Sequence, residues 1–188
     1  VKVRATDGCG FNLYKNIFVH HFVIPSIIAL RLKHGPKTRE VLLENITMFN
    51  DLLRYEFMFP KSYDFTEAVD TMLKFALKRE LVVESNGVYS INQNNSDKMN
   101  LLANILQPFL ESFYVAINVL TSKKATFPMD SKNLIAVFRE THHKLLLLSK
   151  IESLEGNMTI SYQNIIRFFN EEKILSLTRA ANKKKLVK

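Results

Sequence analysis

Apolar residues recur along most of this chain at the three- and four-residue steps of a helix face. Between Thr38 and Phe57, Leu42, Ile46, Phe49 and Leu53 follow at steps of four, three and four, which predicts an amphipathic helix. Asp64, with Glu67 three residues on, has the form of a capping box. It predicts a second helix that ends near Arg79 and turns Phe65, Val69, Met72 and Ala76 inward. Two β-prone runs, Leu81–Glu84 and Val88–Ile91, then flank Asn86-Gly87, a pair suited to the positive φ angles of a tight turn. A short β-hairpin is expected over about residues 81–91.

Beyond the polar run Asn92–Ser96, a long stripe of Met99, Leu102, Leu106, Leu110, Phe113, Ile117 and Leu120 predicts another helix. Pro108 lies inside it and brings no N–H, so a kink or a restart is expected there. After a loop from Thr121 to Pro128, Asp130 or Ser131 can cap a helix that runs to about Ser153, with Leu134, Val137, Phe138, Leu145 and Leu148 inward. Past Glu155-Gly156-Asn157, Ser161 can cap a last helix carrying Ile165, Ile166, Phe168 and Phe169, and Ile174–Leu177 reads as a strand. The fold class is therefore mainly α, a helical bundle-like domain with a short hairpin. The helix from Asp64 to Arg79 followed by that hairpin resembles the end of a winged helix. The expected organisation is one domain over residues 1–178, with a sub-boundary near 121–130, and a tail from 179 to 188.

The most apolar stretch runs from Phe11 to Leu32. A membrane span needs about 20 apolar residues, whereas Ile17–Leu30 is shorter and is interrupted by His20, His21 and Pro25. A buried or interfacial helix, kinked at Pro25, is the expectation. The turn His34-Gly35-Pro36 follows it.

Composition supports a folded core, with 47% hydrophobic residues and only five Gly and five Pro in 188. The single cysteine, Cys9, has no disulfide partner and sits in the turn-like Asp7-Gly8-Cys9-Gly10, which points to a reducing compartment. The formal charge of +8 is mostly local. Arg179, Lys183, Lys184, Lys185 and Lys188 fall in the last ten residues, leaving the rest close to neutral, so the end reads as a solvated basic tail. The start at Val1, without a charged-then-apolar leader, suggests a fragment.

The usual signatures of chemistry are missing. The chain has no glycine-rich phosphate loop, no G-x-S-x-G elbow, no H-E-x-x-H and no Cys/His cluster at ligand spacing. Neither a metal nor a cofactor is expected. His20 and His21, like His142 and His143, are adjacent, so on a helix the members of each pair diverge by about 100°. Each pair is read as one histidine partly buried and hydrogen-bonded and one exposed. Glu56, Glu67, Asp70, Glu111 and Glu140 are dispersed on predicted helices. The helix beside the hairpin carries Glu67 and Asp70 against Lys74, Lys78 and Arg79. That near balance argues against a phosphate-contacting face and against nucleic acid as a partner.

Three segments, in order, resemble the region downstream of the catalytic domain in the glycerol-3-phosphate and dihydroxyacetone-phosphate acyltransferase family. They are LYKNIFVHHFVIPSIIAL (Leu13–Leu30), ENITMFNDLLRYEFMFP (Glu44–Pro60) and ILQPFLESFYVAINVL (Ile105–Leu120). The family-like positions are Asn16, His20, Pro25, Glu56, Phe57, Pro108, Phe109, Glu111 and Ser112, with Gln107 and Phe113 as departures. The resemblance implies a parent enzyme that moves an acyl group from a fatty acyl thioester to a glycerol phosphate or to dihydroxyacetone phosphate at a membrane surface. In that family a His-x4-Asp motif supplies the general base and its orienting acid. Here the positions five after each histidine hold Pro25, Ser26, Arg39, Leu147 and Leu148. No catalytic residue is therefore carried over. The implied role is a non-catalytic C-terminal domain packed on an upstream acyltransferase domain, which would itself hold acyl-CoA and glycerol phosphate. The implied location is intracellular and membrane-associated, at the mitochondrial outer membrane or endoplasmic reticulum rather than the peroxisome, since Lys185-Leu186-Val187-Lys188 is not an S-K-L-type end.

Overall fold

The computed structural model describes the backbone of residues 8–57, 59, 62–122, 126–179 and 185–187, and side chains within that set from residue 21 to residue 176. The described residues form seven α-helices and two small antiparallel sheets, so the chain is mainly α with a short hairpin, as its pattern predicts. They divide into two compact units, Val1–Leu106 and Gln107–Lys188. The division falls ahead of the 121–130 loop.

In the first unit α1 (Gly8–Lys33) leads through β1 (Lys37–Thr38) into α2 (Arg39–Leu52) and α3 (Phe65–Lys78). The hairpin β2 (Val82–Ser85) and β3 (Val88–Ile91) and the short α4 (Ser96–Asn104) follow. The sheet order is β1-β3-β2, with Lys37 opposite Tyr89 and Val82 opposite Ile91. Helix, strand, two helices and a hairpin whose last strand returns beside the first is the connectivity of a winged helix. Local chemistry sets these elements. The Thr38 hydroxyl caps α2, and the Asp64 carboxylate accepts the N–H groups of Thr66 (2.8 Å) and Glu67 (3.1 Å) to open α3. Asn86 and Gly87 turn the hairpin with φ of 52° and 78°.

The core of this unit joins Val23, Ile27 and Ile28 of α1 to Leu42 and Ile46 of α2, Val69 and Leu73 of α3, and Met99 and Ala103 of α4. Two expectations need correction. Val69, Leu73 and Ala76 form the buried row of α3, whereas Phe65 and Met72 are half-buried. Phe65 instead stacks edge-on with Phe59 and Tyr63 at centroid distances of 5.4 and 5.1 Å. The turn expected around Cys9 is the first turn of α1, and Pro25 lies inside that helix.

The second unit holds α5 (Gln107–Thr121), β4 (Met129–Asp130), α6 (Ser131–Leu147), α7 (Thr159–Glu171), β5 (Leu177–Arg179) and β6 (Lys185–Val187). The restart at Pro108 is real: α4 ends at Asn104, and Pro108 falls in the first turn of α5, where a missing N–H leaves no helix bond unmade. α5 packs on α6 and α7, with Phe113 edge-on to Phe168 (5.6 Å) and Phe169 (6.1 Å). Asp130 caps α6. That helix stops at Leu147, well short of Ser153, and leaves Leu148 exposed rather than inward. α7 begins at Thr159, so Ser161 is a buried interior residue and not the cap. The second sheet runs β4-β6-β5, with Lys185–Val187 of the basic end as its middle strand. The strand expected at Ile174–Leu177 lies at Leu177–Arg179 instead.

Candidate functional site

The polar residues that carry the family resemblance fall in different places. The side chains of Asn16 and His20 lie outside the described residues. Pro25 is half-buried within α1. Glu56 and Phe57 follow α2 in a turn where both N–H groups bond to the Leu53 carbonyl, with Glu56 half-buried and Phe57 buried. Pro108, Phe109, Glu111 and Ser112 lie together in the first turns of α5.

This last group grips one loop. The Glu111 carboxylate accepts the Gln107 amide (2.9 Å), the Glu152 N–H (2.8 Å) and the Ser153 N–H (2.7 Å). The Ser112 hydroxyl lies 2.8 Å from the Pro108 carbonyl and 2.7 Å from the Gly156 carbonyl, one proton between two acceptors. From α6, His142 closes the loop on its other side. Its ring is fully buried, and its Nε2–H donates to the Ser153 carbonyl at 2.7 Å. A carbonyl can only accept, so in the neutral ring this contact fixes the tautomer and leaves Nδ1 to accept the Tyr162 hydroxyl proton at 2.8 Å. Burial pushes the Tyr162 phenol well above its ordinary value, so it stays protonated as that donor. The loop must also come very close. A Cβ on Gly156 would stand 2.5 Å from the Pro108 carbonyl oxygen and 3.0 Å from both His142 Cε1 and Ser112 Oγ.

A serine, a histidine and a carboxylate around one glycine invite comparison with a nucleophilic triad. The hydrogen bonds exclude that assignment. Neither ring nitrogen of His142 faces Ser112, both are already bonded, and Glu111 spends its oxygens on N–H donors rather than on the imidazole. What these groups do is hold residues 152–156 in one conformation. Sequence reasoning did single out the His142–His143 pair, and the split holds: His142 is buried and bonded, His143 exposed. It missed Gly156 and Tyr162, whose partners lie far off in sequence.

In the first unit, Arg39 and Asp70 form a bidentate pair at 2.5 and 2.9 Å across α2 and α3, each partner shifting the other to favour its charged form. Asp70 therefore does not stand free on α3, whose exposed face mixes Glu67, Lys74, Lys78 and Phe75. At the hairpin tip the Glu84 carboxylate accepts the Gly87 N–H at 2.7 Å. Among the described residues no helix is long and apolar enough to cross a membrane.

Residues 2–178 match the family described as the glycerol-3-phosphate acyltransferase C-terminal region. The chain belongs to that family. It is 27% identical over 124 residues to a glycerol-3-phosphate acyltransferase of Shewanella baltica, which covers 65% of this chain and 15% of that protein. It is 26% identical over 159 residues to one from Shewanella amazonensis, covering 84% of this chain and 18% of that protein. The chain thus spans less than a fifth of the length of the curated relatives it matches. The three segments that suggested the family lie within the matched range.

Proposed function

We propose that this chain is the non-catalytic C-terminal domain of a glycerol-3-phosphate O-acyltransferase acting in glycerophospholipid synthesis, packed against the acyltransferase domain of the same protein. The observation that carries the reading is the clasp: the family-like Glu111 and Ser112, together with the buried His142, are consumed in holding the 152–156 loop. None of the five histidines has an aspartate five positions on. Acyl-CoA and glycerol phosphate would then meet only on the larger remainder of the parent. Glycerol 3-phosphate is preferred to dihydroxyacetone phosphate as acceptor because the relatives carry that name. A fatty acyl thioester favours work at a membrane surface, and the resemblance favours the mitochondrial outer membrane or endoplasmic reticulum. Purified chain incubated with radiolabelled glycerol 3-phosphate and palmitoyl-CoA should give no lysophosphatidate above the blank. Turnover proportional to chain concentration would overturn the reading.

The winged-helix connectivity of the first unit favours a second reading, a helical interaction domain that binds nucleic acid. Binding to a DNA or RNA duplex that weakens steeply between 50 and 200 mM salt, as counterion release requires, would support it.

A further inference from the structure

Four large apolar side chains stand out along one stretch of the second unit. Leu147, Leu148, Leu154 and Ile160 are 71%, 67%, 66% and 52% exposed, and Met158 is exposed beside them in sequence. Side chains of this size normally gain about 2 kcal/mol from burial, and here they end α6, top the following loop and begin α7. The loop that bears Leu154 is also the one that Glu111, Ser112 and His142 pin through its backbone. A surface held rigid before contact loses little freedom on binding.

We propose that residues 147–160 form the docking edge for the acyltransferase portion of the parent protein, and that the clasp exists to present it. This rests on the reading of the chain as a C-terminal domain. A protein surface fits better than a lipid one. Leu154 lies between Glu152 and Glu155, both exposed, and carboxylates at that position oppose an anionic bilayer surface. Lys144, near the end of α6, is held by Glu140 at 2.6 Å. Lys150 is exposed in the same stretch and offsets one of the two carboxylates, so the edge calls for an apolar pocket whose rim is on balance weakly basic. The relatives have room for it, since more than four-fifths of each lies outside the matched segment.

The test uses the full-length parent enzyme with the photo-crosslinker p-benzoylphenylalanine replacing Leu154, and in separate preparations Tyr114 or Phe75, which are also exposed. Crosslinked peptides from position 154 should map to the acyltransferase portion. In addition, amides 154–160 should exchange at least tenfold more slowly in the parent than in the 188-residue chain. Crosslinks from 154 confined to residues 1–106, or to lipid when phosphatidylglycerol vesicles are present, would overturn the proposal. If 154 fails but 114 or 75 reaches the acyltransferase portion, the edge is wrong and the domain reading stands. If all three fail, that reading falls as well.

Discussion

The two units solve the same problem with different means. The first is held by helix caps and a mostly apolar core, in which Asn45 bonds only to the Val41 carbonyl of its own helix and Ser26 is a small buried hydroxyl, and its one long-range bidentate ion pair described, Arg39 with Asp70, sits half in water. The second places a histidine, a serine and a tyrosine in its interior and spends them on one loop. Buried polar groups are costly when unmatched and directional when matched. The first unit can therefore tolerate polar substitutions at its pair, while the second cannot at its clasp.

Breaking the clasp should show this contrast most strongly with His142→Ala. It removes a fully buried ring and orphans both the Tyr162 hydroxyl and the Ser153 carbonyl, at a cost of about 4 kcal/mol in a urea titration of the second unit. Gly156→Ala should cost about 2 to 3 kcal/mol, because the nearest obstacle to its methyl group is the Pro108 backbone, which cannot swing aside. Glu111→Gln keeps the shape but turns an amide N–H toward one of the N–H donors of Glu152 and Ser153. About 1 to 2 kcal/mol should be lost, with faster amide exchange at 152 and 153.

Alkaline titration sharpens the comparison in a different way. The Tyr162 phenol has a folded-state value raised by burial. Its contribution is fully present below the unfolded value of about 10 and declines as pH rises from there, because the unfolded chain releases the proton first. The thermal midpoint of the second unit should fall above that pH, and Tyr162→Phe should flatten the slope. The smallest effect belongs to the first unit. Asp70→Asn breaks a solvent-screened pair and should barely move its midpoint at neutral pH. What little Asp70 contributes is present above its unfolded value and disappears as pH falls, since Arg39 lowers its folded one. An Asp70→Asn loss matching that of His142→Ala would erase the contrast.

Most of the first unit was legible in the sequence because its determinants are local. Asp64 caps the helix it precedes, Asn86-Gly87 turns the hairpin it joins, and the Leu42–Leu53 stripe is buried as spaced. Errors arose where tertiary packing chooses among apolar residues of similar size. Leu73 rather than Met72 faces the core of α3, and Leu148 is left outside because Ser149, at φ 52°, ends the helix. The clasp was only half legible. Glu111 and Ser112 stood out by resemblance and His142 by its neighbour, but Ser153 and Gly156 are more than forty residues from the α5 groups that hold them. No periodicity reports a backbone carbonyl as a partner.

The central claim is that His142 is scaffold rather than chemistry, and one paired measurement tests it most directly. His142→Gln in the full-length parent should lower the thermal midpoint by several degrees while leaving kcat, counted per folded molecule, within about twofold of the unsubstituted enzyme. A fall in kcat of a hundredfold or more with the midpoint unchanged would contradict the account and return the buried imidazole to the active site.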